Sequence, residues 1–233
     1  MRAAYVVDAP DARDMTLSPD LKAINALDLH DIELTAPTSD AFATGLMADR
    51  QKQPQEIRQA REKIGAFIRD AQHVVQSDSG HHHSSFFAST YAASIEPARI
   101  MQGQLEALQL LAEGKDQQAL EQLRLAVAEE DKLPVGYGPP VPVKRSAELL
   151  GEVYLREGDA QNAMRLFQLP LLRYPNRAAS LAGLHAAAQR AGDAVTAAKA
   201  MQTLQSIQSA GAHPYLAWNS LPCKNCAAPE DRP

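Results

Sequence analysis

Long hydrophobic runs, aromatic residues and excess basic charge are all scarce in this sequence, and each shortage excludes a class of protein. Aromatic residues make up 5% of the 233 residues although 45% are hydrophobic. Ala and Leu therefore supply most of the apolar surface, which favours helix over strand. No apolar stretch approaches the roughly 18 residues of a membrane span. Lys plus Arg is 23 and Asp plus Glu is 28, and the resulting charge of -5 argues against a nucleic-acid partner.

The amino terminus also lacks a secretion signal, because Asp8 and Pro10 interrupt its short apolar run. The sequence as it stands predicts either a cytoplasmic protein or a processed or truncated form of a longer chain, and in both cases no membrane insertion. Two cysteines, Cys223 and Cys226, are too few for a disulfide framework. Nucleophile-elbow, phosphate-loop and zinc-protease motifs are absent, so we expect no enzymatic activity and no cofactor.

The sequence does contain an internal repeat. Three pairs of residues stand 34 positions apart: Gly158 and Gly192, Ala163 and Ala197, and Leu150 and Leu184. An earlier copy has Gly114 and Ala119, each 44 positions before its counterpart, and a Pro/Gly-rich loop at 133–143 accounts for the extra length. A 34-residue period is typical of paired helices that stack on one another.

The second copy resembles the tetratricopeptide repeat (TPR) family. The matching positions are Leu150, Gly151, Tyr154, Ala163, Phe167 and Pro175. The resemblance implies an all-α, right-handed solenoid of antiparallel helical hairpins with an irregular C-terminal tail. It divides the chain into an irregular segment (1–37), a degenerate hairpin region (38–99), three repeats (100–133, 144–177 and 178–211) and the tail (212–233).

A wider resemblance begins at about Ala41. From there the sequence is similar to the C-terminal part of larger bacterial TPR proteins of undetermined activity. The residues that carry this similarity lie at 130–140, 148–151 and 174–177. The resemblance implies that one or two worn repeats lie within residues 1–75.

Small and bulky residues have separate roles in this architecture. Glycine is expected just past the first helix of each repeat, where a left-handed residue ends it, and Asp116, Asp159 and Asp193 are expected to cap the second helices. The predicted repeat-packing residues are Gly114, Ala119, Leu150, Gly151, Tyr154, Gly158, Ala163, Phe167, Pro175, Leu184, Gly192 and Ala197.

Helices are also predicted outside the clearest repeats. The first predicted helix is 41–51, after a linker at 37–40 with an N-cap at Ser39 or Asp40. The second is 56–75, with an apolar face and with Pro54 in its first turn. A third, long helical stretch follows a cap at Ser84 or Ser85 and runs toward Ala112. Pro97 should kink or break the last of these, and Pro170 should bend or stop its helix near Gln168, because a proline ring clashes with the preceding turn.

The family resemblance also implies a function. In TPR arrays the first helices of successive repeats line a groove that holds a peptide. The matching positions here are Gln104, Leu108, Leu111, Glu148, Glu152, Arg156, Ala182, Ala186, Gln189 and Arg190. The family's clamp for C-terminal carboxylates uses Lys and Asn, whereas this chain has Glu148 and Glu152. We therefore expect a protein-interaction scaffold whose partner is a protein or peptide segment with some basic character. Self-association through the array is a further possibility.

A metal-binding or redox-linked helical protein is the alternative. His81, His82 and His83 form a loop, but adjacent residues cannot all converge on one metal ion. Cys223 and Cys226 form a C-x-x-C pair, which supplies two of the four ligands of a structural zinc site and leaves free thiols, a local disulfide or a metal pair open. We expect no metal, and these five residues are only weak candidates.

The tail carries the sole tryptophan of the chain, Trp218. A solenoid exposes an apolar face at each end that must be covered. Tyr215, Leu216 and Trp218 are suited to fold back over the third repeat, and insertion into a partner is the other interpretation.

Overall fold

Helix is the regular structure of the described chain. The computed structural model describes residues 35–78, 86–134 and 141–207, and these ranges hold eight α-helices and no strand. The helices are α1 (Thr35–Arg50), α2 (Pro54–Asp78), α3 (Phe86–Ala112), α4 (Asp116–Asp131), α5 (Ser146–Glu157), α6 (Ala160–Arg173), α7 (Ala178–Ala191) and α8 (Ala194–Ile207). The all-α prediction is confirmed for these ranges. None of these eight helices is long and apolar enough to cross a bilayer.

The described residues fall into two compact units that meet in sequence between Lys144 and Arg145. The first unit holds α1 to α4 and the second holds α5 to α8. The division falls within one residue of the predicted start of the second repeat at 144. The predicted boundary between residues 99 and 100 instead lies inside α3.

The first unit begins earlier than the sequence predicts. Helix α1 starts at Thr35, so the expected linker at 37–40 is wrong. Pro37 is accommodated because the first turn of a helix does not use its own backbone N–H groups. Phe42 of α1 is fully buried, and a Cβ added at Gly45 would lie 2.5 Å from a methyl carbon of Leu105 in α3. The two helices therefore approach closely at this glycine.

Helix α2 begins at Pro54, in agreement with the predicted first-turn proline. Ile57, Ile64 and Ile68 lie one or two turns apart and are buried, which gives α2 the predicted apolar face. Helix α3 runs without interruption through Pro97, so the predicted break is wrong. Packing of α3 against α1, α2 and α4 outweighs the loss of one backbone hydrogen bond at the proline.

In the second unit, α5 and α7 end in the same type of turn. Gly158 and Gly192 have φ of 88° and 76°, a region that glycine adopts without the strain a side chain would bring. The N–H of Gly158 donates to the carbonyl of Leu155, and the N–H of Asp159 donates to Tyr154. This pair of bonds is a Schellman motif, which satisfies carbonyls that the helix leaves without partners.

Aspartates then begin the second helices of this unit. The Asp159 carboxylate accepts from the backbone N–H of Asn162 at 3.0 Å, and the Asp193 carboxylate accepts from that of Thr196 at 2.9 Å. Both caps were predicted. The third predicted cap is wrong: Lys115 is the N-cap of α4, without a side-chain bond, and Asp116 is already the first helical residue.

The turn between α1 and α2 has the same hydrogen bonds but no glycine. Lys52 has φ of 57°, and its N–H donates to Asp49 while that of Gln53 donates to Ala48. The left-handed conformation costs a residue with a side chain about 1–2 kcal/mol. The sequence did not reveal this turn, because no glycine marks it.

Helix α6 does not stop near Gln168 as predicted, because it continues through Pro170 to Arg173. Pro170 is buried, and its carbonyl accepts from the N–H of Tyr174 at the end of the helix. Burial of its ring in the second unit makes Pro170 part of the apolar face of α6.

Residues 34 positions apart occupy matching places in the second unit. Ala163 is the fourth residue of α6 and Ala197 is the fourth residue of α8. Each donates its N–H to the carbonyl of the capping aspartate, and the two are 0% and 5% exposed. The period of the sequence is therefore also a period of backbone geometry and burial.

Candidate functional site

The predicted groove residues of the first repeat lie on α3, in the first unit. Gln104 and Leu108 are completely buried and Leu111 is half-buried. The Gln104 side-chain nitrogen donates to the backbone carbonyl of Lys144 at 2.9 Å. Gln104 therefore holds the end of the first unit in place, and the burial of Leu108 makes it a core residue.

Glu148, the first predicted groove residue of the second unit, has no exposed area. Its two carboxylate oxygens accept from Nε and Nη2 of Arg177 at 2.6 and 2.8 Å, and the hydroxyl of Ser180 donates to the first of them. A bidentate pair of this kind is both strong and directional. It joins the first turn of α5 to the start of α7.

A stacked cation lies at the same end of the helices. The guanidinium of Arg145 sits 4.5 Å from the centre of the Tyr174 ring. Such a contact is worth about 0.5–1 kcal/mol where it is partly exposed. Tyr174 and Arg177 both belong to the connection between α6 and α7, so Arg145 and Glu148 together bind that connection to the start of α5.

The other ends of α5 and α7 are joined by a second arginine. Nη1 of Arg190 donates to the backbone carbonyl of Leu155 at 2.9 Å, which satisfies an acceptor in the last turn of α5. Burial lowers the pKa of the Arg190 guanidinium, although an arginine stays protonated at any physiological pH. Arg177 and Arg190 therefore fix the register between α5 and α7 at both ends.

The remaining predicted groove residues differ in exposure. Ala182 and Ala186 on α7 are each 2% exposed and belong to the apolar core of the second unit. Glu152 and Arg156 on α5 are half-buried, and Gln189 on α7 is exposed. Because the Arg190 bond joins the last turns of α5 and α7, Arg156 and Gln189 lie in turns that are neighbours.

A single phenylalanine fills the space between the helices of the second unit. Phe167 of α6 is fully buried. A Cβ added at Gly151 of α5 would lie 3.0 Å from its ring, and one added at Gly183 of α7 would lie 2.2 Å from it. The sequence predicts the roles of Phe167 and Gly151. It does not predict that of Gly183, because the 34-residue period leads from Gly151 to His185, two positions after Gly183.

The other predicted repeat-packing residues are mostly in the core. The buried ones are Ala119, Leu150, Ala163, Leu184 and Ala197. Tyr154 is half-buried and packs against the core of the second unit, whereas Pro175 is exposed. Gly114 has φ of 73° and ends α3 with the turn described for α5 and α7.

An open cavity of about 720 Å³ is lined by residues of α7 and α8 and of the turn between them. Its walls come from His185, Gln189, Gly192, Ala194, Ala197, Ala198, Met201, Gln202 and Gln205. Nδ1 of His185 lies 2.9 Å from the carbonyl oxygen of Ala197. Because that oxygen only accepts, Nδ1 carries the proton, and Nε2 of a neutral ring is then an acceptor.

The residues of the metal-binding alternative lie outside the described ranges. These are His81, His82, His83, Cys223 and Cys226. Within the described ranges, no group of three or more His, Cys, Asp or Glu side chains is placed to hold a metal ion.

Comparison with known proteins adds no family assignment. No protein-family model, curated protein or solved structure matches this chain.

Proposed function

We propose that this protein is a TPR-like scaffold, a right-handed solenoid of antiparallel helical hairpins that binds a segment of another protein. The observation that carries the proposal is the exact recurrence of one local structure at the predicted period. Gly158 and Gly192 end their helices with the same pair of hydrogen bonds, and Ala163 and Ala197 follow at the same buried position. Arrays of such units build extended surfaces suited to binding peptides.

The proposed binding surface is the polar side of α5 and α7. It uses Glu152 and Arg156 from α5 and Gln189 from α7, which keep exposed area where Glu148, Ala182 and Ala186 do not. Glu148 is already paired with Arg177. Glu148 has no exposed area, whereas Glu152 is half-buried, so Glu152 is the carboxylate of α5 that a basic side chain of the partner can reach. Arg156 on the same helix would limit the preference for strongly basic segments.

Affinity capture from the source cell, followed by mass spectrometry, tests this proposal. The bait variant carries Glu152→Lys and Gln189→Arg, which reverses or adds charge on the proposed surface. The control carries Gln161→Lys and Gln168→Arg, at exposed positions of α6. We expect the Glu152→Lys and Gln189→Arg bait to lose some of the proteins that both the wild-type bait and the control bait capture. Equal capture by all three baits would show that this surface does not bind the partner.

A peptide panel tests the partner's chemistry separately. Immobilised peptides that combine apolar residues with one or two basic residues should bind the wild type better than acidic peptides of matched length. Glu152→Lys should reduce or invert that preference, because it replaces the attracting carboxylate. A preference that this variant leaves unchanged would remove the assigned role of Glu152.

A further inference from the structure

The cavity on α7–α8 occupies the place at which the preceding hairpin receives its neighbour. The residues 34 positions before the cavity walls lie on α5 and α6, and α7 covers the surface that they form. Phe167 stands 34 positions before Met201, Met164 before Ala198 and Leu155 before Gln189. Leu155, Met164 and Phe167 share one buried core with Leu181 and Leu184 of α7.

Exposure separates the two surfaces. Phe167 and Leu155 are 0% exposed and Met164 is 9% exposed. Their counterparts on the last described hairpin are open: Met201 is half-buried, and Ala198 and Gln189 are exposed. Equivalent positions are therefore covered by α7 on α5 and α6 but are open on α7 and α8. This difference indicates that a further segment of chain belongs on α7 and α8.

We propose that the cavity is occupied by residues 212–221 of this same chain, with Tyr215 and Trp218 in the places that Leu181 and Leu184 take one period earlier. The chain order supports this occupant. Helix α7 starts at Ala178, shortly after α6 ends at Arg173, and residue 212 follows the end of α8 at Ile207 by the same interval.

The chain is also long enough to reach. The cavity walls run along α8 from Ala194 to Gln205, which is about 16 Å at a rise of about 1.5 Å per residue. Tyr215 is eight positions after Ile207 in sequence, and eight extended residue steps span about 26 Å at roughly 3.3 Å per residue. Attachment to α8 makes docking intramolecular, which gives it a high effective concentration.

The chemistry of the cavity suits these two side chains. Met201, Ala194 and Ala197 offer an apolar floor, and Gln189, Gln202 and Gln205 offer amide groups. A buried indole N–H or phenol O–H requires an acceptor. The glutamine carbonyls provide acceptors, and so does Nε2 of His185, whose Nδ1 proton points to Ala197.

The single tryptophan makes this inference measurable in the full-length protein. Emission and acrylamide quenching report Trp218 alone. We expect blue-shifted emission and weak quenching in the wild type, both independent of protein concentration. Ala198→Glu places a charge in the cavity from an exposed helical position and should move both values toward those of the urea-unfolded chain. Val195→Glu, on the same helix at a residue that is 79% exposed and outside the cavity walls, should leave them unchanged.

Three results would overturn the inference. One is wild-type emission and quenching equal to those of the unfolded chain. Another is protection of Trp218 that disappears on dilution, which would assign the cavity to a second copy. The third is an equal response to Ala198→Glu and Val195→Glu while far-ultraviolet circular dichroism shows intact helix. Gln189 borders both this cavity and the partner surface proposed above, whereas Glu152 lies on α5 and is not among the cavity walls. The peptide test with Glu152→Lys and the tryptophan measurements therefore concern separate residues, and either proposal can fail alone.

Discussion

The two units of the described chain use helices in different ways. Helices α5 to α8 have 12, 14, 14 and 14 residues, whereas α1 to α4 have 16, 25, 27 and 16. In the second unit both first helices stop at a glycine with positive φ, and an aspartate caps the helix that follows. In the first unit one such turn uses Lys52 and another uses Gly114 without an aspartate cap. Local stop signals therefore set the period of the second unit, and a turn of the same geometry persists in the first unit where those signals are missing.

The largest expected effect concerns the ion pair that holds the second unit in register. Glu148→Ala should destabilise it by about 3–5 kcal/mol, because it removes both carboxylate hydrogen bonds of the largely buried Arg177 guanidinium. Urea unfolding followed by circular dichroism measures the loss. Hydrogen exchange should show weaker protection in α5 to α8 than in α1 to α4. Glu152→Ala is the control on the same helix, and an equal loss from both variants would contradict the assigned role of Glu148.

Replacing a helical glycine with alanine should change the free energy of unfolding in opposite directions in the two units. Gly183→Ala should cost about 1–3 kcal/mol, because its Cβ would overlap the Phe167 ring. Gly103→Ala in α3 meets only the amide nitrogen of Gln122, at 3.1 Å, and should gain roughly 0.5–1 kcal/mol from helix propensity. Thermal unfolding compares them. Combining Gly183→Ala with Phe167→Leu should recover part of the loss, and failure to recover would show that the ring is not the cause.

Substitutions at the left-handed residue of two turns should also change stability in opposite directions, by smaller amounts. Gly192→Ala should cost about 1–2 kcal/mol through backbone strain, since no atom lies within 4 Å of the added Cβ. Lys52→Gly should stabilise the first unit by about 1 kcal/mol, because it relieves the same strain at φ of 57°. Chemical denaturation of both variants tests this. Equal signs for the two substitutions would contradict the equivalence of the turns.

The smallest expected effect is a pH dependence at the start of α8. Hydrogen bonds from the side chain and the backbone N–H of Thr196 lower the pKa of Asp193 below its ordinary value of 3.8. The ionised carboxylate therefore stabilises the folded chain above that value, and the contribution is lost as the pH falls through the lowered pKa. Asp193→Ala should flatten the acid part of the stability–pH curve. If stability falls equally steeply with acid pH in the variant and the wild type, Asp193 does not contribute to the pH dependence.

The features that the sequence predicts correctly are those specified by residues close together in the chain. The glycine stops at 158 and 192 and the aspartate caps that follow were predicted, because each depends on backbone conformation within a few residues. Predictions from residue propensity are wrong where packing outweighs it. The break predicted at Pro97 and the stop predicted near Gln168 are absent, because both prolines lie inside continuous helices, and Pro37 lies in a first turn where a linker was predicted.

The candidate site was less predictable than the fold. The period placed Glu148 on the same helix as Glu152, but it could not show that Arg177 and Ser180 would take up its carboxylate. The bonds that bury Glu148 join residues 29 and 32 positions apart. A sequence pattern can assign a residue to one face of a helix. It does not show whether a carboxylate on that face lines a groove or forms a buried ion pair.

Sequence alone was enough to predict the all-helical character of the described ranges and the positions at which the helices of the second unit end. Composition, the 34-residue period and single-residue stop signals act through short-range interactions, and these need no knowledge of the fold. The fit of Gly183 against the Phe167 ring, the left-handed conformation of Lys52 and the open cavity on α7 and α8 are visible only in the folded chain. Those features depend on which distant surfaces meet, because burial and steric fit are properties of assembled helices.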